Sequence, residues 1–123
     1  MNHRKSGRIL SRNRNQRRAL FRTLVGSLVL HERIETTLAK AKELKDKVDP
    51  IVNRAKRSTL DASKKVAVMR ELRRTLPTTT VSKLVSPEFI SRFEGRESGF
   101  TRVVKLEARK GDGAEMAVIE FVV

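Results

Sequence analysis

The chain has 123 residues, a length suited to one domain with one core. Of these residues 38% are hydrophobic, and Lys and Arg outnumber Asp and Glu by 28 to 14, for a formal net charge of +14. Cysteine is absent, which excludes a disulfide framework or a thiolate metal site, and no apolar run is long enough for a membrane span.

The charge is one-sided. Residues 1–31 contain Arg4, Lys5, Arg8, Arg12, Arg14, Arg17, Arg18 and Arg22 and no acid. Residues 39–75 carry a further excess of seven positive charges, whereas residues 76–123 are balanced. Like charges repel and oppose compaction, so an acid-free segment calls for a polyanion to supply its counter-charge. An excess confined to part of the chain points to a binding face rather than to general solubility.

In chain order, residues 1–12 lack a helical period, and Gly7 with the Asn, Ser and Arg content predicts an extended basic arm. The arm has neither the apolar core nor the small-residue cleavage site of a secretory signal. A mitochondrial transit peptide would be amphipathic from its beginning; here the charges precede any apolar stripe, and the expected location is the cytoplasm. Asn13 or Asn15 can cap a helix by accepting a backbone N–H. From about Arg14 to Leu30, Leu20, Phe21, Leu24, Val25 and Leu28 recur at helical spacing. Arg14, Arg18 and Arg22 follow at i, i+4 and i+8, beside that stripe. The remaining face carries Gln16, Ala19, Thr23, Gly26 and Ser27 and is smooth enough for another backbone to approach.

Residues 33–37 alternate and are β-branched, predicting a short strand whose final Thr caps the next helix. Leu38, Ala41, Leu44, Val48, Ile51, Val52 and Ala55 keep a helical period, with a kink or break expected at Asp49-Pro50. Asp61 is the expected cap of a third helix built on Val66, Met69, Leu72 and Leu76 and stopped by Pro77. Thr78 to Thr80 lead into Val81, Leu84 and Val85. Ser86-Pro87-Glu88 combines a capping hydroxyl, proline at the first helical position and an acid in the first turn, the start of a short helix ending near Gly95. Residues 101–108 and 115–123 read as strands joined by the turn signal at Lys110 to Gly113, a β-hairpin. The expected fold is α+β: a two-layer domain over residues 13–123, ordered α-β-α(3)-β(2), with helices covering a small three-stranded sheet.

Catalytic chemistry has little to stand on. The two histidines, His3 and His31, lie far apart in sequence; His31 suits a helix C-terminus, where the dipole favours it. Gly111-Asp112-Gly113 links two strands with no helix following, so it fits a hairpin turn better than a phosphate loop. Glu115 and Glu120 sit in a strand pattern that turns them to solvent. No cofactor, metal or small-molecule substrate is implied. Lys40, Lys42, Lys45 and Lys47 are interleaved with Glu43, Asp46 and Asp49, so local pairing and phosphate contact are both open to them. Arg14, Arg17 and Arg18 oppose the positive end of the helix dipole, at a cost of several tenths of a kcal/mol each, which a bound polyanion would reverse.

With no Trp or Tyr and five Phe, the chain is poorly equipped to bind single strands by aromatic stacking. Arginine-rich segments suit folded RNA, bridging phosphates across grooves. A DNA-packaging, nucleoid-type protein is the alternative that composition leaves open. A membrane-active cationic helix would set its apolar face opposite its charges, unlike the arrangement here.

Several motifs, taken together, resemble the bacterial large-subunit ribosomal protein family numbered seventeen. They are His3-Arg4-Lys5-Ser6-Gly7-Arg8; Ser27-Leu28-Val29-x-His31-Glu32-x-Ile34-Glu35-Thr36-Thr37; Lys40-Ala41-Lys42-Glu43-Leu44; Gly99-Phe100-Thr101-Arg102; and Arg109-Lys110-Gly111-Asp112-x-Ala114-x-Met116-Ala117-x-Ile119-Glu120. The resemblance implies a non-catalytic component of the large ribosomal subunit that binds 23S-type rRNA near the polypeptide exit tunnel. Carried over by position, it implies that His3, Arg4, Lys5, Arg8 and Arg12 thread into rRNA. Arg14, Arg17, Arg18, Arg22, Lys40, Lys42 and Arg102 would line the RNA face. It further implies contacts with neighbouring large-subunit ribosomal proteins, which the less charged C-terminal surface would make.

Overall fold

A computed structural model describes residues 7–59 and 62–122. Helix α1 spans Arg14–His31 and opens with a reciprocal cap. The Asn13 side chain accepts the Gln16 N–H at 2.9 Å, while the Gln16 side chain accepts the Asn13 N–H at 3.1 Å. Two otherwise orphaned helix donors are thereby satisfied. The helix ends at Glu32, which adopts φ 65° and donates its N–H to the Leu28 carbonyl.

Strand β1 (Arg33–Thr37) follows as predicted, and Thr37 caps helix α2 (Leu38–Arg57) by accepting the Lys40 N–H. No break occurs at Pro50, because α2 continues through it. Proline costs an interior helical hydrogen bond. Burial of Val48, Val52 and Ala55 on either side holds the helix together across that gap.

Helix α3 (Ala62–Arg73) follows the expected register only in part. Val66 is exposed, and Val68 takes its place in the core with Leu72. The expected cap, Asp61, lies outside the described residues. Among the described residues four helices, rather than three, separate β1 from the hairpin, since residues after Pro77 form α4 (Thr78–Leu84). Helix α5 (Pro87–Ser91) starts on the Ser86 cap, as its sequence signature requires, and is shorter than expected.

The hairpin strands β2 (Thr101–Lys105) and β3 (Met116–Phe121) are antiparallel and also shorter than the sequence pattern. The sheet order is β1-β3-β2, with both outer strands antiparallel to β3. Ala117, Ile119 and Phe121 of β3 enter the core, to which all of α1 to α5 contribute. Four phenylalanines form one cluster. Phe89 meets Phe121 edge-on at 5.3 Å, and Phe93 meets Phe100 edge-on at 5.5 Å. Such pairs add about 0.5–1.5 kcal/mol each beyond burial. Arg92 lies over Phe89 and Phe93 and binds the Glu32 carboxylate, tying α5 to the end of α1. Lys83 joins them, donating to the Leu30 carbonyl at 3.2 Å and approaching Glu32 at 3.5 Å.

The smooth flank of α1 is where α4 docks. Gly26 is buried, and a β-carbon there would sit 3.2 Å from Thr80 Oγ1. The missing side chain admits the neighbouring helix at this point.

Candidate nucleic-acid interface

The first two turns of α1 project past the core. Arg14, Arg18 and Arg22 stand exposed on the line that Val25 and Val29 continue into the core one turn later. The arginine row therefore runs end to end into the buried stripe as well as beside it. Below it lies a groove of about 1140 Å³. Its floor includes Phe21, Val25, Ile51 and Leu76. From α1 it is lined by Arg14, Arg17, Arg18 and Arg22, from α2 by Lys47 and Arg54, and from the link after α3 by Arg74.

The basic arm is not extended over its described part. Leu10 and Ser11 both take left-handed backbone conformations, φ 55° and 54°, and Arg12 N–H reaches back to the Ile9 carbonyl at 3.2 Å. Non-glycine residues seldom adopt this region. Chain reversal brings Gly7 and Arg8 onto α2. Arg8 donates to the Glu43 carboxylate at 3.3 Å, and Gly7, at φ 91°, passes so close that a β-carbon would lie 2.8 Å from Glu43 Oε1. An acid from α2 thus neutralises one arm cation.

That pairing takes one acid away from the α2 lysines. Glu43 turns to Arg8, and the Asp49 carboxylate accepts the N–H groups of Gly99 at 3.1 Å and Phe100 at 3.3 Å. Among the described residues, neither acid pairs with Lys40, Lys42, Lys45 or Lys47. Lys47 instead sits over the Phe21 ring, 5.0 Å from its centroid.

The sequence-derived residues separate into groups. Arg8, Arg14, Arg17, Arg18 and Arg22 share the groove. Arg12 lies beside it, half-buried, with its guanidinium on the Leu10 carbonyl at 2.7 Å; Arg17 in turn donates to the Arg12 carbonyl at 2.7 Å. Lys42 lines a smaller adjoining depression with Arg8 and Lys45, whereas Lys40 lines neither. Arg102 lies apart, on the sheet. Its guanidinium donates to Glu120 at 2.8 Å, and Arg33 approaches the same carboxylate at 3.8 Å. The hydrogen bond from Arg102, then the charges of Arg102 and Arg33, hold the Glu120 carboxyl below its usual value. The Glu120 side chain is 21% exposed and paired rather than turned freely to solvent. His3, Arg4 and Lys5 lie outside the described residues. Arg54 and Arg74 were not singled out from sequence. Arg54 lies seven residues after Lys47, on the same helical face, a spacing that could have found it; nothing local marks Arg74.

The family profile described as Ribosomal protein L17 matches residues 20–122. The chain belongs to the ribosomal protein L17 family. Membership makes it a structural constituent of the large ribosomal subunit. The matched span holds the sheet, α2 to α5 and the last two-thirds of α1, while the arm and Arg14, Arg17 and Arg18 of α1 precede it. No helix among the described residues is long and apolar enough to cross a membrane.

Proposed function

We propose that this L17-family protein binds 23S-type rRNA through residues 1–12 and α1, at a site near the polypeptide exit tunnel, in the cytoplasm. Its work is mechanical: cationic side chains neutralise phosphate and hold RNA segments together. The observation that carries this reading is the row Arg14, Arg18 and Arg22. These three arginines share one groove and have no acidic partner among the described residues. Unpaired arginines near a helix N-terminus are unfavourable in the free protein and become favourable beside phosphate. Neighbouring ribosomal proteins meet the charge-balanced C-terminal surface.

Binding of the protein to large-subunit rRNA, titrated between 50 and 200 mM salt, tests this. With about six to ten phosphate contacts, the affinity falls by about 10³ to 10⁵ over that range. A salt-independent association overturns the electrostatic account. Removal of residues 1–12 leaves the core folded and abolishes stable incorporation into subunits, read by sedimentation at high salt. Undiminished incorporation would show that the arm is dispensable.

A further inference from the structure

The groove draws its cations from three parts of the chain that sequence places far apart. Arg18 and Arg22 come from α1, Lys47 and Arg54 from α2, and Arg74 from the link between α3 and α4. We infer that Lys47, Arg54 and Arg74 complete a clamp with the α1 arginines, and that this clamp grips one segment of RNA phosphodiester backbone. The inference rests on the rRNA-binding reading above and extends it to residues outside the N-terminal segment.

Three observations carry it. The acids at the groove are few: two against eight cations in the lining. Glu43 is buried and held by Arg8, so it contributes little negative potential of its own, and Asp46 is the other acid in the lining. Arg54 is bridged to Glu71 at 3.4 Å, but both side chains are nearly half exposed. An exposed pair of this kind is weakly held and can exchange its partner for phosphate. Arg74 is exposed and has no acidic partner among the described residues.

The second observation concerns the floor. Phe21 is 7% exposed and its ring is occupied by Lys47. No aromatic face in the lining is open for a base to stack on, so the groove suits the backbone and not the bases. Recognition there is by charge and position, without sequence information.

The third is rigidity. The three cation-bearing segments are fixed to one core, through Phe21 and Val25 beside Arg22, through Val52 and Ala55 around Arg54, and through Leu72 and Leu76 beside Arg74. A ligand that reaches all three gains contacts without ordering a loop.

The test compares two double variants of the full-length protein, binding a large-subunit rRNA transcript. R54Q/R74Q removes two groove cations. R70Q/R73Q removes the same charge from exposed positions on α3 outside the groove lining. The readout is the slope of log affinity against log salt, to which each phosphate contact contributes about 0.7–0.9. R54Q/R74Q lowers the slope by about 1.5 and the affinity at least ten-fold more than R70Q/R73Q does. R74Q alone, which breaks no ion pair seen among the described residues, lowers the slope by about half as much, and thermal melting of each variant verifies folding. Equal slopes for the two double variants overturn the clamp while leaving rRNA binding intact. Failure of the unaltered protein to bind the transcript overturns the rRNA reading and the clamp with it. Tighter binding of the unaltered protein to duplex DNA than to the transcript overturns the assignment of the groove to RNA.

Discussion

Gly26 of α1 and Thr80 of α4 approach so closely that a β-carbon on Gly26 would lie 3.2 Å from Thr80 Oγ1, and that hydroxyl is buried without a hydrogen-bond partner among the described residues. Alanine in a helix interior ordinarily gains about 1 kcal/mol over glycine. Here Gly26→Ala loses about 1 kcal/mol, because Thr80 is enclosed and cannot retreat. In a Thr80→Ala background the same substitution stabilises, since the next neighbour, Pro77 Cγ, is at an ordinary 3.6 Å. Urea denaturation of the four proteins gives a coupling of about 1.5–2 kcal/mol. Additive effects would show that the helices are free to separate.

The Asp49 carboxylate receives two backbone N–H groups from the segment before β2. Asn53, one turn on, donates to the Glu97 carbonyl at 3.1 Å. Asp49→Ala leaves the Gly99 and Phe100 donors without their acceptor and costs about 1–3 kcal/mol. Hydrogen exchange at those two amides accelerates before exchange in the β3 core does. Unchanged protection at Phe100 would mean that the phenylalanine cluster alone fixes the segment.

Glu32 is the acid to watch as pH falls. The hydrogen bond from Arg92, with the charges of Arg92 and Lys83, holds its carboxyl below 4.5. A carboxyl lowered on folding stabilises the folded state at pH values above its unfolded value, and that contribution disappears as pH drops through the folded value. The urea midpoint therefore declines below about pH 4.5, and Glu32→Gln flattens that limb. Because Glu32 is 40% exposed, the effect is small and shrinks further in high salt. An acid limb identical in the variant would assign the decline elsewhere.

Pro50 is exposed at the groove edge inside a continuous helix. Proline in a helix interior costs about 3 kcal/mol relative to alanine. Pro50→Ala restores a backbone donor and removes the ring clash without opening a cavity, raising stability by about 1–3 kcal/mol in thermal or urea unfolding. A drop in stability would show that the ring packs productively against the groove floor.

Local chemistry made much of the fold legible. The caps at Asn13, Thr37 and Ser86 lie in the sequence beside the donors they satisfy, and the hairpin is announced by its turn. What escaped depends on distant partners. Helix α4 begins with three threonines, poor helix formers, and is held by burial of Thr80, Val81 and Leu84. Val66 and Val68 are equivalent by composition, and only the position of the core chooses between them. The α1 arginines were found because an acid-free run is visible in one dimension. Arg54 and Arg74 join them through the packing of α2 and α3, while Arg102, adjacent in motif, is bound to Glu120 on the sheet.

The order of the sheet bears on how the protein is made. Among the described residues β1 and β2 do not pair, and each has β3 as its strand neighbour. Arg33, in the first strand, must wait for Glu120 to exist before its register can form. Translation adds residues from the N-terminus at about 5–20 per second. The polycationic segments therefore emerge several seconds before the strand that closes the core. Throughout that interval the arginines of the nascent protein are free to meet a polyanion while its sheet is unbuilt.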